Sequence, residues 1–211
     1  HSLESGFCVL RLKARGHRGL VTTIGHAAMI SAGEWVTASG DWINDRDHGL
    51  QFKARFLRTS APSSLEGIEK YLGSGMIRGI GPVYAKRLVK KFGQDVFDLI
   101  EAEPERLREV EGIGPKRADN ITSAWADQKV IREIMVFLHE HSVGTARAVR
   151  IFKTYGTDAV KVMSENPYQL ARDIRGIGFR TADMIAEKLG IEKTAMIRVQ
   201  AGISYASPRL W

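Results

Sequence analysis

Gly79-Ile80-Gly81, Gly112-Ile113-Gly114 and Gly176-Ile177-Gly178 are three copies of one tripeptide, each crowded by basic side chains. Arg78 precedes the first copy, with Lys86, Arg87, Lys90 and Lys91 beyond it; Lys116 and Arg117 follow the second; Arg175 and Arg180 frame the third. The chemistry such a grouping can do is anion binding rather than bond making. A Gly-x-Gly turn that opens a helix leaves unpaired backbone N–H groups at the positive end of the helix dipole. Glycine removes the side chains that would hold a phosphate away. A seat of this kind grips phosphate without reading bases.

The second copy shows which elements must position the turn. Glu105-Arg106-Leu107-Arg108-Glu109-Val110 leads in, with Leu107 and Val110 at a spacing that suits one helix face. Gly112 stands where a helix stops, in the left-handed position that favours glycine. Pro115 opens the next helix, where its missing N–H costs nothing. Ile113 is expected to plug the space between the two helices. This is the pattern of a helix-hairpin-helix motif.

Sliding the chain on itself by 63 residues aligns 80–93 with 143–156, Pro104 with Pro167 and Leu107 with Leu170. One inserted residue later, Gly112 aligns with Gly176 and Ala118-Asp119 with Ala182-Asp183. The helical part therefore reads as two related units of two hairpins each, 63–128 and 129–206. A fourth hairpin emerges at Ser142-Val143-Gly144, which has lost its first glycine and is followed by Arg147, Arg150 and Lys153. Its Cβ is expected to make the turn close differently and offer fewer N–H groups. A helix over 124–138 is expected to join the units.

Residues 1–62 read as strands: Phe7–Lys13, 20–24, one starting near Glu34, and 51–56, where Phe52, Ala54 and Phe56 share a face. Short strands with Gly turns suggest a small OB-like barrel. Its aromatic residues Trp35, Trp42 and Phe52 are expected to fill the barrel, with base stacking the other use for them. The fold class is thus mostly α with a small N-terminal β-barrel: an OB-like domain followed by two tandem (helix-hairpin-helix)2 units. The chain starts without Met and inside strand-like sequence, as a fragment would, and 207–211 reads as a cloning remnant.

Composition narrows the partner. A formal charge of +7 favours an anionic one. Cys8 is the only cysteine, so one chain holds neither an internal disulfide nor a Cys-based zinc site, which suits a reducing cytoplasm. No apolar run reaches membrane-spanning length, and no membrane partner is expected. No G-x-x-x-x-G-K-[ST] loop occurs. Asp41, Asp45 and Asp47 fall in a turn-rich loop; His139 and His141 cannot share a helix face. No catalytic set, metal site or cofactor is expected in this stretch.

Gly75-Met76-Ile77-Arg78-Gly79-Ile80-Gly81-Pro82-Val83-Tyr84-Ala85, Asp173-Ile174-Arg175-Gly176-Ile177-Gly178-Phe179 and Ile203-Ser204-Tyr205-Ala206 resemble the N-terminal region of the bacterial RecD-like ATP-dependent DNA helicases, those that are similar to the exodeoxyribonuclease V alpha subunit. The resemblance runs over about 1–206. It implies an OB-like domain, tandem hairpins and, in the parent, a superfamily 1 motor that uses ATP and Mg²⁺ to move 5′ to 3′ on DNA during repair or recombination. Motor residues have no positions in this sequence to receive them.

The expected function is sequence-independent DNA binding through phosphates, with the helicase motor as the other partner and no enzyme activity in this stretch. The expected ligands are Arg78, Gly79, Ile80, Gly81 and Lys86; Gly112, Ile113, Gly114, Lys116 and Arg117; and Arg175, Gly176, Ile177, Gly178 and Arg180. Two other readings stay open: a docking or regulatory module that packs on the motor, and the DNA-binding region of another repair enzyme such as a nuclease or ligase.

Overall fold

A computed structural model describes Ser2 and residues 5–207; 208–211, most of the expected cloning remnant, lie outside the described residues. Four strands come first: β1 (Phe7–Lys13), β2 (Leu20–His26), β3 (Trp35–Asp45) and β4 (Gly49–Ser60). Nine helices follow among the described residues: α1 (Leu65–Leu72), α2 (Pro82–Phe92), α3 (Val96–Ala102), α4 (Pro115–Glu140), α5 (Thr145–Tyr155), α6 (Ala159–Glu165), α7 (Gln169–Asp173), α8 (Phe179–Lys188) and α9 (Met196–Ala206).

The strands form one sheet in the order β1-β2-β4-β3. β1 and β2 are antiparallel from Phe7↔His26 to Lys13↔Leu20. β2 and β4 are parallel through Thr23↔Phe52 and Ile24↔Lys53. The sheet is OB-like but open: β1 and β3 stand at its two edges, so no barrel interior is enclosed. That explains a departure from expectation. With no interior to fill, Trp35 and Trp42 lie on the surface, 54% and 47% exposed. Trp42 instead meets the rings of His17 and Phe52. In β4, Phe52, Ala54 and Phe56 are half-buried while Lys53 and Arg55 face solvent, the alternation expected of a strand with one covered face.

The chain divides into two compact units. The larger comprises 1–28, 38–57 and 133–211, and so combines most of the sheet with the C-terminal hairpins. Thr145, buried at the start of α5, accepts the Leu57 N–H at 3.0 Å. Gly6 lies so close to α5 that a Cβ there would stand 2.4 Å from a methyl of Val149. A second cluster joins Tyr168, Ala182 and Ala186 with Phe179, Ile191, Ile197 and Ala201.

The smaller unit comprises 29–37 and 58–132. Ser64 caps α1 by accepting the Gly67 N–H at 3.1 Å. The core gathers Ile68, Tyr71, Leu72, Leu88, Ile100, Leu107 and Ile121. The lead-in to the second hairpin is a 3₁₀ segment, Pro104–Glu109, rather than an α-helix; it still buries Leu107 and Val110. The joining helix expected over 124–138 is longer: α4 runs unbroken for 26 residues from the second turn.

Candidate nucleic-acid interface

Every hairpin turn places its first residue in the left-handed region: Gly79 at φ 82°, Gly112 at 83°, Gly176 at 87° and Ser142 at 63°. Ser142 therefore reaches the conformation that its Cβ disfavours. What differs is the hydrogen bonding. Ile80, Ile113 and Ile177 each donate to a carbonyl three residues back, whereas Val143 reaches the Leu138 carbonyl five residues back. α4 enters the Ser142 turn as a full α-helix, and its last carbonyls take these turn N–H groups.

The residue between the turn positions points inward. Ile80, Ile113, Val143 and Ile177 are 2–3% exposed, and the isoleucine N–H groups are already used. The three isoleucines expected among the ligands thus hold the turns in place rather than presenting a contact.

The second glycines open the outgoing helices. Gly81 and Gly178 occupy N-cap positions with extended backbone and no side-chain cap. Their carbonyls, with that of Gly114, accept from Ala85, Ala118 and Ala182 at 3.0–3.1 Å. The N–H groups of Val83 and Tyr84, of Lys116 and Arg117, and of Phe179 and Arg180 have no helical acceptor. Gly144 caps α5 in the same way, and Thr145 replaces proline at the first helical position there. The third turn thus offers no fewer helix-start N–H groups than the others, contrary to expectation.

In the smaller unit the two turns share one groove. Arg78, Gly79, Gly114, Pro115, Lys116, Arg117 and Asn120 line a cavity of about 390 Å³. Arg117 holds it together: Nε donates to the Gly79 carbonyl at 3.1 Å and Nη1 to the Gly112 carbonyl at 2.9 Å. Its guanidinium also lies 4.6 Å from the Tyr84 ring centroid. Asn120 donates to the Arg78 carbonyl at 2.9 Å. Arg117 thus spends two of its five donors within the protein. Arg87 adds a second brace, donating to the Glu111 carbonyl at 2.9 Å.

The larger unit repeats that brace. Arg150 donates to the Arg175 carbonyl at 3.0 Å, immediately before Gly176. Both arginines neutralise the negative end of a chain segment entering a turn.

Ion pairs occupy some of the cations outside the expected ligand set. Lys91, Arg106, Lys129 and Arg132 are paired with Glu109, Glu103, Glu101 and Glu34. The acidic stretch around Glu101–Glu109 is explained by those partners. Among the described residues, the side chains of Arg78, Lys86, Lys116, Arg175 and Arg180 make no ion pair and are exposed. In the β3–β4 turn Asp45 accepts the Asp47 and His48 N–H groups and the His48 ring, which holds its carboxyl below the usual range. Among the described residues no three His, Cys, Asp or Glu side chains converge to hold a metal ion, and no helix is long and apolar enough to cross a membrane.

Comparison with known proteins gives the same order of parts. Residues 1–62 match the OB-fold domain of the ATP-dependent DNA helicase YrrC, 74–127 a SAM-like helix-hairpin-helix tandem, and 127–209 the helix-hairpin-helix domain of the ATP-dependent RecD2 DNA helicase. The ATP-dependent RecD2 DNA helicase of Deinococcus radiodurans is 28% identical over 96% of this chain. The chain is homologous to the N-terminal region of RecD2-type DNA helicases. It spans 29% of the length of the Deinococcus protein. A DNA ligase of Roseiflexus castenholzii is 33% identical over 53% of the chain and 16% of its own length. No solved structure matches the chain significantly.

The local sequence does not mark Asn120, which lines the groove, Tyr84, which lies under the Arg117 guanidinium, or the bracing role of Arg87, Arg117 and Arg150. All three arginines stood out as basic flanks. Their carbonyl acceptors lie on other elements, and nothing in the local pattern marks them.

Proposed function

We propose that this RecD2-type N-terminal region holds DNA by its phosphates, without reading sequence, and presents it to a helicase motor carried elsewhere in the parent. The groove between the Gly79 and Gly112 turns carries this reading. It combines two glycine-opened helix starts with the unpaired side chains of Arg78 and Lys116. Backbone N–H groups and two flexible cations suit phosphate oxygens and offer nothing specific to base edges. The second unit contributes Arg175, Gly178 and Arg180. ATP and Mg²⁺ chemistry, and a role in repair or recombination, belong in this reading to the parent, which works in the cytoplasm. No step is assigned to either group.

A second reading has its own observation. Met196, Val199 and Ile203 are 68%, 44% and 60% exposed at helical spacing on α9, a face suited to docking on protein. The two readings separate by salt. Phosphate binding should weaken with salt at a slope of about −0.7 to −0.9 per phosphate engaged. Lys116→Ala and Arg175→Ala should each weaken binding to all sequences alike and reduce that slope by about one. Arg147→Ala, beside the Ser142 turn, should do likewise, since that turn offers as many helix-start N–H groups. Affinity across a salt series by fluorescence anisotropy is the test. Unchanged affinity in all three variants would favour docking.

A further inference from the structure

A cavity of about 390 Å³ lies beside the Gly176 hairpin, wholly within the larger unit. Gly178 stands on its rim, at the uncapped start of α8. Its wall carries three rings in one stack: Tyr168 and Phe179 have centroids 5.6 Å apart and Phe179 and Tyr205 5.3 Å apart, both pairs inclined by 21°. The stack grades from core to surface. Tyr168 is 5% exposed and anchored by its hydroxyl on Asp183, while Tyr205 at the outer end is 57% exposed. Asn166, Gln169 and Gln200 place amide groups around the rings; Asn166 Oδ1 accepts the Tyr168 N–H and Gln169 Nε2 donates to Asp173, which also pairs with Arg172.

We infer that this cavity takes an unpaired nucleobase, stacked on the Phe179–Tyr205 end of the ring series, while the adjoining phosphate sits at the Gly178 helix start. Four features support that occupant over a plain apolar one. The volume falls in the range of small-ligand sites, about 300–1,000 Å³. Parallel stacked rings ending in an exposed face are the platform that single strands use, because every base has a π-face. Amides supply both donors and acceptors, as a base edge requires; among the described residues the Gln200 amide makes no internal hydrogen bond, and Gln200 is exposed. A phosphate seat stands at the rim, at Gly178, next in sequence to Phe179. An apolar peptide would satisfy the rings but leave the Gln200 amide and Gly178 unused.

The consequence is a division of labour. The groove of the smaller unit grips phosphates of any strand, and the larger unit favours strands with bases free to leave a stack. This inference rests on the phosphate-binding reading, and the test separates the two. The whole chain is titrated with three labelled ligands of equal length: oligothymidine, the same strand with abasic residues, and a duplex. The unaltered chain should bind oligothymidine about tenfold tighter than the abasic strand, the effect of one stacked base. Tyr205→Ala should remove that difference and leave the abasic strand and the duplex unaffected. Tyr205→Phe should keep it. Gln200→Ala, on the surface, should reduce it without touching the fold. Equal affinity for thymidine and abasic strands, or Tyr205→Ala weakening all three ligands alike, overturns the base pocket and leaves the phosphate reading standing. No binding to any of the three overturns both.

Discussion

Arg87 Nη1 lies 2.9 Å from the carbonyl oxygen of Glu111, and its repeat equivalent Arg150 lies 3.0 Å from the carbonyl of Arg175. In both units an arginine of the first hairpin's outgoing helix therefore fastens the residue just before the second hairpin's glycine. The two turns of a pair are set relative to each other by a charge-assisted hydrogen bond as well as by their shared core. Arg150→Lys tests this. It keeps the charge but loses the planar fork. The expected result is a loss of at most about 1 kcal/mol of stability, since the group is exposed, and weaker DNA binding at unchanged net charge. Chemical denaturation and anisotropy measure the two effects; unchanged affinity would mean that Arg150 acts only as charge.

Gly79 and Gly112 share the same left-handed backbone but not the same surroundings. A Cβ at Gly79 would meet only Arg117, at 3.8 Å or beyond; at Gly112 it would stand 2.7 Å from Cε1 of Tyr84. Tyr84 cannot easily retreat, because the guanidinium groups of Arg117 and Arg87 lie over its ring. Gly79→Ala should cost about 1–2 kcal/mol for the backbone alone. Gly112→Ala should cost about 1 kcal/mol or more beyond that. Urea denaturation of both variants gives the ranking, and equal losses would refute it.

The Ser142 turn makes the opposite kind of prediction. Among the described residues Ser142 is the only non-glycine with positive φ. Ser142→Gly should stabilise the chain by up to about 1 kcal/mol, the left-handed penalty less the greater freedom of glycine when unfolded. Thermal unfolding should show the midpoint rising. A fall would mean that the serine side chain contributes a contact worth more than the strain.

These turns mark where the sequence was legible. Glycine pairs and proline at helix starts are local signals, and each hairpin lies where Gly79, Gly112 and Gly176 stand. Their central residues are buried as expected of Ile113. Strand positions in 1–62 followed from alternation, but closure of the sheet did not: whether β1 meets β3 is a long-range property that no period encodes. Trp35 and Trp42 were accordingly expected inside and lie outside. The ring series Tyr168–Phe179–Tyr205 was invisible for the same reason, since its members come from separate elements. Arg117 is the third residue of a proline-opened helix, which looks like a ligand position; its two carbonyl partners appear only once the hairpins are folded together.

The last prediction concerns a buried ion pair in the smaller unit. Arg132 Nη2 stands 3.2 Å from Glu34 Oε2, with side chains 16% and 1% exposed, and also donates to the Tyr71 hydroxyl at 3.1 Å. Glu34 accepts the Ser31 N–H at 2.7 Å as well. Burial pushes the Glu34 carboxyl above its ordinary value, and Arg132 is the main opposing influence. Arg132→Ala leaves a buried carboxylate without its cation and should cost about 3 kcal/mol or more at neutral pH. The sign of the pH dependence follows from the raised folded-state value. Without Arg132 it rises further, so the folded state takes up a proton more readily than the unfolded one. Stability of Arg132→Ala should therefore increase as pH falls through the folded-state value and level off below the ordinary carboxyl value of 4.5. Glu34→Gln in the Arg132→Ala background should recover part of the loss at neutral pH and abolish that pH dependence. Denaturation midpoints of both variants from pH 5 to pH 8 test this, and a loss that is the same across that range would show that packing of the Arg132 guanidinium over the Tyr71 and Trp125 rings, rather than its pairing with Glu34, is what the substitution removes.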